Sequence, residues 1–524
     1  MSERAVEHNV AHWLDRHAET RGAAEAVIDA WRRLSYAELA DRVARCAGVL
    51  AEAGVGPGER VAVLLGNHAP YLETVFAAAR LGAMVVPVNV RWSPREIAVL
   101  LADCTPRAVV HGAEQAGGLE RACAASGHRP ALRLAAGAPD APYEAALAAA
   151  RREAALPVTP EDPMILMYTS GTTGTPKGAL LPHRKALYNA RNAESFFGMS
   201  PDDRVLVVVP LFHSFGLAIL SIPTLHVGGA LVLQPHFDPA AVWRAVEAER
   251  LTFFGAVPTM FRALHEELEA AREGAWQLDS LRFLFTSGAA IPVELIRAYE
   301  RRGLVLKQGF GQTETSTLTC LDAQDAVRKA GSVGRPVRYG EVRVVAREGL
   351  DETPPEQWRE VRPGSGETGE IVVRGPLNML GYWNRPDETA RTLRGEWLRT
   401  SDLATVDEEG FLTLAGRACD LFISGGENVY PAEVEAVLEE HPALREVAVV
   451  GEPDERWGEV GCAYVVLAPG AALEPESLRG WARERLAAFK IPKRFAAVPE
   501  LPRTQTGKVQ KWKLGPGSAE GHAA

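Results

Sequence analysis

Tyr168-Thr-Ser-Gly-Thr-Thr-Gly-Thr-Pro-Lys-Gly178 is a run of hydroxyl-bearing residues and glycines that ends on a lysine, and it follows the apolar segment Met164–Met167. Glycine allows the backbone to approach a ligand closely. Hydroxyl groups and successive backbone N–H groups can surround phosphate oxygens. Lys177 adds a positive charge. The stretch therefore predicts a loop that binds a polyphosphate, such as the triphosphate of a nucleotide.

Two other glycine-rich patterns do not fit this chain. The Walker A loop requires Gly-Lys-Ser/Thr, whereas here Lys177 follows a proline and Gly178-Ala179 replace the hydroxyl. Gly309-Phe-Gly311 comes nearest to G-x-G-x-x-G, but Glu314 occupies the place of the third glycine. Taken alone, the run is also compatible with an ordinary surface turn.

The length and composition are those of a multidomain globular protein. A chain of 524 residues is too long for one core and predicts several domains. Hydrophobic residues make up 47% and charged residues 24%, a typical globular balance. The net charge of −10 lacks the basic excess of a nucleic-acid-binding surface.

The cysteines and the apolar segments favour a cytoplasmic protein without a membrane span. The six cysteines are Cys46, Cys104, Cys123, Cys320, Cys419 and Cys462. No pair has C-x-x-C spacing, so neither a zinc site nor a disulfide framework is predicted. The charged N-terminus lacks the apolar core of a signal peptide. Prolines and a Gly-Gly pair interrupt the apolar residues 205–233, which predicts buried strands and a packed helix.

The first part of the chain alternates between strand and helix patterns. Val61–Leu65 reads as a strand, Tyr71–Leu81 as a helix and Ala83–Pro87 as a second strand. This βαβ pattern predicts a parallel sheet with a right-handed crossover. Leu281–Phe285 and Leu304–Leu306 predict further strands of the same kind.

The last hundred or so residues predict a separate α+β unit. Pro431–Leu438 and Leu478–Phe489 have helical spacing, and Glu446–Val450 and Cys462–Leu467 read as strands. Residues 350–368, rich in Glu, Pro and Gly, predict an exposed loop.

The lysine-ended run resembles the phosphate-binding signature of the adenylate-forming superfamily, which includes acyl-CoA synthetases, luciferases and peptide-synthetase adenylation domains. Further motifs occur in the family's order, from Pro210-Leu-Phe-His213 to Pro502-Arg-Thr-Gln-Thr-Gly-Lys508, and cover nearly the whole chain. The resemblance implies an α/β fold. It has a large N-terminal adenylation domain of layered sheets and helices (1–416), a smaller mobile α+β C-terminal domain (417–514) and a disordered tail (515–524).

The implied reaction activates a carboxylic acid in two steps that use ATP, Mg²⁺ and CoA. A carboxylate is a poor acylating agent, and joining it to AMP with release of pyrophosphate creates a good leaving group. CoA then takes the acyl group as a thioester. Because the first step brings two anions together, it requires positive charge and Mg²⁺.

The resemblance implies specific roles in nucleotide binding. It assigns ATP and AMP binding to Thr169, Ser170, Gly171, Thr172, Thr173, Gly174, Lys177, Gly288, Ala289, Ala290, Gln308, Gly309, Phe310, Gly311, Thr313, Asp402 and Arg417. Glu314 is the implied catalytic Mg²⁺ ligand, and a carboxylate oxygen suits that ion. Within this set, Gly288, Ala289 and Ala290 are implied beside the adenine ring, and Asp402 and Arg417 at the ribose. Phe310 replaces the tyrosine usual in the family, which keeps an aromatic face near adenine, and Ser401 replaces a glycine.

Further roles concern catalysis and CoA. Lys508 is the implied catalytic lysine of adenylation, and His213 is the implied gate between the acyl pocket and the CoA tunnel. The implied CoA-binding residues are Ser424, Gly425, Gly426 and Trp457. Cys419 occupies the hinge position, where relatives usually carry Asp or Lys.

Family precedent places the acyl pocket among residues 213–220, 254–260 and 308–316. This chain offers Phe215, Phe254, Val257 and Met260 for that pocket, with Leu217, Gly255 and Gly288. These segments contain no Lys or Arg before Arg262, so the second carboxylate of a dicarboxylic acid would be buried without a partner. An apolar monocarboxylic acid, fatty or aromatic, is therefore predicted.

Three interpretations remain open at this stage. The first is a cytoplasmic CoA ligase, and a homodimer is one assembly that the sequence leaves open. The second is an adenylating enzyme that transfers its acyl group to a carrier protein, an amine or another nucleophile. The third is a kinase or nucleotide-binding regulator that never forms an adenylate. Exchange of pyrophosphate into ATP, driven by a carboxylic acid, separates the third from the others.

Overall fold

The computed structural model describes residues 9–169, 176–272, 276–289, 291–418, 420–424, 427–504 and 507–515. The chain divides into two compact units, Met1–Glu341 with Val373–Leu398, and Val342–Val372 with Arg399–Ala524. This confirms the prediction of a mixed α/β chain with a larger and a smaller part. The domain limits 1–416 and 417–514 stay a prediction. Within the described ranges, no helix combines the length and apolar character needed to cross a membrane.

The helices and strands are numbered here in chain order. Up to residue 169 they are α1 (Ala11–Arg21), β1 (Glu25–Ile28), β2 (Arg33–Ser35), α2 (Tyr36–Glu52), β3 (Arg60–Leu64), α3 (Ala69–Arg80), β4 (Met84–Pro87), α4 (Pro94–Cys104), β5 (Ala108–Gly112), α5 (Ala116–Ser126), β6 (Leu132–Ala136), α6 (Pro142–Ala149) and β7 (Pro163–Thr169). From residue 177 to 336 they are β8 (Lys177–Pro182), α7 (His183–Phe197), β9 (Arg204–Val207), α8 (Ile222–Val227), β10 (Ala230–Leu233), α9 (Pro239–Glu249), β11 (Phe253–Ala256), α10 (Pro258–Ala270), β12 (Phe283–Thr286), α11 (Val293–Glu300), β13 (Leu306–Gln312), β14 (Ser316–Cys320) and β15 (Arg335–Pro336). The remainder are β16 (Glu341–Val345), β17 (Gly369–Arg374), β18 (Gly381–Tyr382), α12 (Pro386–Thr392), β19 (Leu393–Arg394), β20 (Trp397–Val406), β21 (Leu412–Arg417), β22 (Phe422–Ser424), β23 (Glu427–Val429), α13 (Pro431–Glu439), β24 (Leu444–Asp454), β25 (Gly458–Leu467), α14 (Pro475–Arg483) and β26 (Arg494–Ala497).

The first sheet contains seven strands in the order β18-β8-β7-β4-β3-β5-β6. The predicted βαβ unit is β3, α3 and β4, and its two strands pair in parallel as expected. These strands are almost entirely buried, as in parallel sheets covered on both faces. The antiparallel hairpin of β7 and β8 carries the Gly/Thr-rich run at its tip.

The second sheet contains nine strands in the order β15-β14-β13-β12-β11-β9-β10-β1-β2. The predicted strands near residues 281 and 304 are β12 and β13. β13 extends further than predicted, to Gln312, because β14 turns back and pairs with it in antiparallel fashion. The turn between β13 and β14 therefore holds Thr313 and Glu314 at one end of this sheet.

Besides a hydrophobic cluster between the seven-stranded sheet and helices α4 and α5, the described residues of the larger unit form two further clusters. One contains side chains of both sheets, such as Val63 and Phe253. The other lies between the nine-stranded sheet and helices α9, α10 and α11. The apolar residues 205–233 form β9, α8 and β10, which confirms the predicted buried strands and packed helix. An unpredicted π-helical segment, Phe215–Ser221, precedes α8.

The smaller unit contains the sheet β23-β22-β25-β24, with β26 parallel to β25. Helices α13 and α14 pack on it through a hydrophobic cluster that includes Val434, Leu438 and Leu478. A second sheet, β16-β17-β20-β19 with β21 beside β20, belongs mostly to this unit. The connection from β16 to β17 contains the predicted loop, residues 350–368, with a 3₁₀ turn at Pro355–Gln357.

The predicted helix Leu478–Phe489 is wrong in its limits. Helix α14 begins three residues earlier and ends at Arg483, and Ala487 is extended before a 3₁₀ turn, Ala488–Lys490. The apolar spacing continues past the helix because Leu486 and Phe489 still pack against the same cluster. Residues 516–524 of the predicted tail lie outside the described residues.

Candidate active site

The Gly/Thr-rich run connects two paired strands. Thr169 ends β7 and Lys177 begins β8, and the two residues are cross-strand partners. The predicted phosphate-binding residues Ser170, Gly171, Thr172, Thr173 and Gly174 lie outside the described residues. The structure therefore shows the two residues that flank the loop, Thr169 and Lys177, paired at the ends of neighbouring strands.

The ammonium group of Lys177 lies close to two side chains from a distant part of the chain. It forms an ion pair with Glu388 of α12. It also lies 5.8 Å from the ring centroid of Tyr382 in β18. Strand β18 places these partners here because Tyr382 pairs with Ala179 of β8.

The carboxylate of Glu314 also contacts Tyr382, through the tyrosine hydroxyl. Its Oε1 accepts a hydrogen bond of 2.8 Å from the Tyr382 hydroxyl. Its backbone carbonyl accepts another, also of 2.8 Å, from the N–H of Met379. Lys177 and Glu314, from two separate motifs, thus both contact Tyr382.

The residues around Glu314 fit a Mg²⁺ ion that arrives with a nucleotide. A half-buried carboxylate supplies the hard oxygen that Mg²⁺ prefers, and this ion is commonly held by one or two carboxylates together with substrate phosphates. In the part of the chain that the structure describes, no group of three or more His, Cys, Asp or Glu side chains could form a complete metal cage.

The predicted gate lies beside the same turn. The Thr313 hydroxyl is 3.5 Å from the hydroxyl of Ser214, the residue next to His213. The ring Nδ1 of His213 accepts the backbone N–H of Phe215 at 3.3 Å. The His213 segment and the Glu314 turn are therefore neighbours, and the gating role of His213 stays a prediction.

The residues predicted beside the adenine ring lie at the ends of two adjacent strands. Thr286, which precedes Ser287-Gly288-Ala289, pairs in parallel with Gln308. Gly288 has a φ of +90°, a conformation that favours glycine. The Gln308 Oε1 atom is buried and lacks a hydrogen-bond partner among the described residues. Ala290 lies outside those residues.

The glycines of Gly309-Phe-Gly311 are required by close packing. A Cβ atom at Gly309 would lie 2.9 Å from the ring of Phe285, and one at Gly311 only 1.9 Å from the Ser316 carbonyl. Phe310, predicted to present an aromatic face to adenine, is 9% exposed. The motif is thus a tightly packed strand end.

Asp402 and Arg417, predicted at the ribose, are brought together in the smaller unit. They are cross-strand partners in β20 and β21, and the Arg417 Nε donates to Asp402 Oδ1 at 3.1 Å. Ser401, which precedes Asp402, has a φ of +58°. This left-handed conformation explains physically why glycine is usual at this position in the family.

We expect stability to depend on the residue at position 401. A β-branched residue is strained at positive φ, at a cost of about 1–2 kcal/mol. Ser401→Val should therefore unfold at a lower temperature than Ser401→Gly, as measured by scanning calorimetry at one scan rate. Because the Ser401 side chain is exposed, lost packing contributes little to the comparison. Equal midpoints for the two variants would contradict the strain.

The predicted acyl-pocket residues do not all share one face. Phe215 lies against Gly255, where a Cβ atom would come within 2.8 Å of the Phe215 ring. Phe254, the neighbour of Gly255, points to the opposite face of the sheet and stacks on Phe261. Because successive strand residues alternate between faces, the structure does not bring Phe254 together with Phe215.

Two further acyl-pocket residues lie near the adenine-side strand ends. The position of a Cβ atom at Gly288 lies 3.9 Å from the Val257 side chain. Val257 and Met260 are partly buried. They pack against the hydrophobic cluster of Phe215, whereas Phe254 belongs to another cluster, which Met260 also contacts.

The predicted CoA-binding residues lie in the smaller unit. Ser424 is buried and pairs with Gly458, and Gly425 and Gly426 lie outside the described residues. Trp457 is 41% exposed. Arg456 and Lys493, which the sequence analysis did not single out, lie 4.9 Å and 5.8 Å from its ring centroid. Two cationic side chains therefore lie over a partly exposed indole ring.

Lys508 is exposed and is presented by a tight turn. Its backbone N–H donates to the Thr504 hydroxyl at 3.1 Å, and its carbonyl accepts the Thr504 N–H at 2.7 Å. Gly507, with a φ of +83°, allows the turn. Cys419, the predicted hinge, lies outside the described residues.

Sequence reasoning missed the segment that joins Lys177 to Glu314. Gly381-Tyr-Trp-Asn-Arg-Pro-Asp-Glu388 contains five aromatic or charged residues after a glycine with positive φ, but no catalytic spacing. Lys185 was also missed. It is buried, and burial lowers its pKa well below the usual value, an effect that the Glu314 carboxylate opposes.

Comparison with known proteins gives consistent matches along the chain. The family model of AMP-binding enzymes matches residues 14–383, and that of the AMP-binding enzyme C-terminal domain matches residues 433–508. A feruloyl-CoA synthase of Streptomyces sp is 42% identical over 506 residues, 96% of this chain and 97% of that protein. The indoleacetate–CoA ligase of Aromatoleum aromaticum is 41% identical over 517 residues, 96% of each protein. The crystal structure of ATP-bound MatB from Rhodopseudomonas palustris is similar at a TM-score of 0.86 and 30% identity, covering 96% of this chain and 97% of that one.

Proposed function

Because the chain belongs to the AMP-binding enzyme family of the adenylate-forming superfamily, we propose that it is an ATP- and Mg²⁺-dependent acyl-CoA synthetase. It activates an apolar monocarboxylic acid as an acyl-adenylate and transfers the acyl group to CoA. The observation that supports this most directly is the meeting of Lys177 and Glu314 at Tyr382. An ammonium group and a carboxylate at the mouth of a Gly/Thr-rich hairpin suit a nucleotide phosphate and its metal ion.

In the first half-reaction a carboxylate oxygen of the acid attacks the α-phosphorus of ATP. The new C–O–P linkage forms as the bond to the β-phosphate oxygen breaks, and pyrophosphate leaves. Positive charge is required where the two anions meet, and by the family resemblance Lys508 has this role. Lys177, beside the Gly/Thr-rich run, is proposed to bind the phosphates. Mg²⁺, when held by Glu314 and the phosphates, supplies further charge neutralisation.

In the second half-reaction the CoA thiolate attacks the acyl carbonyl and AMP leaves. Trp457 offers an exposed ring for the adenine of CoA, and the side chains of Arg456 and Lys493 can neutralise its phosphates. In the proposed mechanism His213 separates the acyl pocket from the path of the thiol, and its position beside the Glu314 turn is consistent with that role.

An aromatic acid is the first substrate class to test. The relatives at 42% and 41% identity are named for ferulate and indoleacetate, both aromatic monocarboxylic acids. Phe215, Val257 and Met260 offer apolar contact to a ring. Gly288 keeps the space beside Val257 free of a side chain.

A carboxylic-acid panel with ATP, Mg²⁺ and CoA tests the proposal. Aryl-propenoic, arylacetic and fatty acids are compared by measuring AMP and thioester in the same reaction. Equal amounts of AMP and thioester for at least one acid are expected. AMP without thioester would indicate another acceptor, such as a carrier-protein thiol or an amine, and ADP in place of AMP would reject adenylation.

The ion pair of Lys177 with Glu388 predicts an effect on ATP binding. A nucleotide phosphate must compete with Glu388 for the ammonium group. We expect Glu388→Gln to lower the apparent KM for ATP in pyrophosphate exchange up to about fivefold, since a partly exposed ion pair contributes at most about 1 kcal/mol. Asp387→Asn, an equal charge change on the same helix, is the control. A raised KM would mean that Glu388 instead holds Lys177 in place.

A further inference from the structure

The segment Pro376–Trp383, called the strap below, is held at its start by helix α7. Arg184 Nη1 donates to the carbonyls of Pro376 and Asn378 at 2.7 Å and 2.8 Å. The buried Lys185 Nζ donates to the carbonyl of Leu377, between them, at 2.7 Å. Three successive carbonyl groups are thus fixed by two adjacent basic side chains.

The rest of the strap joins the two motifs of the proposed phosphate site. The N–H of Met379 donates to the Glu314 carbonyl at 2.8 Å. The N–H of Trp383 donates to the Gly178 carbonyl, next to Lys177, at 2.7 Å. A displacement of the strap would therefore move both the Glu314 turn and the beginning of β8.

Between these backbone bonds, Tyr382 contacts both functional side chains. Its hydroxyl donates to Glu314 Oε1 at 2.8 Å, and its ring lies 5.8 Å from the Lys177 ammonium group. The hydroxyl is the donor in this contact, because an ionised carboxylate can only accept a hydrogen bond.

We propose that Tyr382 is a positioning residue for the metal-binding carboxylate. It holds one oxygen of Glu314 and so orients the other toward the cation that accompanies ATP. Outer hydrogen bonds of this kind orient metal ligands, and their loss typically lowers metal affinity about 10- to 100-fold. This inference rests on the proposed function, because it takes Glu314 to be the metal ligand.

Tyr382→Phe tests it by removing the hydroxyl and keeping the ring. Calorimetric titration gives the Kd of the protein for α,β-methylene-ATP in Mg²⁺ and in EDTA, and the ratio of the two reports how strongly metal supports nucleotide binding. We expect Tyr382→Phe to reduce this ratio about tenfold and to change the Kd in EDTA less than twofold. Tyr299→Phe also removes a buried hydroxyl that donates to a carbonyl, at Phe261, and should leave the ratio unchanged.

A second variant separates orientation from general damage. In a Glu314→Gln background, which lacks the carboxylate, adding Tyr382→Phe should change the ratio less than twofold. An unchanged ratio in Tyr382→Phe alone would overturn the inference. So would equal weakening in Mg²⁺ and in EDTA, which would mean that the hydroxyl only supports the fold. If the wild-type protein itself binds the nucleotide equally in both conditions, the metal role in the proposed function fails instead.

Discussion

Replacing Lys508 with alanine is expected to lower the rate of acyl-adenylate formation about a hundredfold or more. This is the scale observed when an enzyme loses one donor that stabilises transition-state charge. Pyrophosphate exchange into ATP measures this step. Thioester formation from supplied acyl-adenylate and CoA should be nearly unchanged, because in the proposed mechanism the lysine acts only while the carboxylate attacks the phosphate.

Lys508→Ala leaves the backbone contacts of residue 508 with Thr504 in place. The side chain is exposed, and the turn is held by backbone and Thr504 contacts that alanine retains. Lys513→Ala, which removes another exposed lysine nearby, is the matched control and should leave both half-reactions unaffected. Equal losses in the two half-reactions of Lys508→Ala would contradict the proposal that a mobile C-terminal domain serves them separately.

Replacing Glu314 with glutamine should be nearly as damaging, again about a hundredfold in pyrophosphate exchange. Glutamine preserves the size of the side chain and an oxygen that can accept the Tyr382 hydroxyl. It removes the negative charge that attracts Mg²⁺. The Mg²⁺ concentration needed for half-maximal exchange should therefore rise in parallel with the loss of rate.

A charge control distinguishes this effect from long-range electrostatics. Glu294 is exposed and pairs with Arg297 on helix α11, so Glu294→Gln should keep the wild-type Mg²⁺ dependence. An unchanged Mg²⁺ requirement in Glu314→Gln would count against its assignment as the metal ligand, even if the rate fell.

The strand and helix patterns predicted most of the fold because burial follows periodicity. The βαβ unit around α3 was identified to within a few residues. The helix near residue 478 was drawn too long, because apolar side chains beyond Arg483 pack on the same core from a different backbone conformation. Likewise, the amino-acid composition of Phe215–Ser221 does not distinguish its π-helical geometry from that of an ordinary α-helix.

The motifs located the candidate site, but not the contacts that assemble it. Local sequence indicated Lys177 and Glu314 separately, whereas Tyr382 joins them through strand pairing that depends on the tertiary fold. The placement of Phe254 could have been foreseen. In a strand the side chain of Phe254 must point away from the face of Gly255, because successive residues alternate between faces. Family precedent had nevertheless assigned both residues to one pocket.

Strand β18 has a consequence beyond the nucleotide. Strand β8 would otherwise be the outermost strand of the seven-stranded sheet, with its peptide groups open to pairing with another chain. Gly381 and Tyr382 cover that margin over Leu180 and Ala179. Two residues thereby shorten the open margin that β8 would offer for edge-to-edge association between molecules.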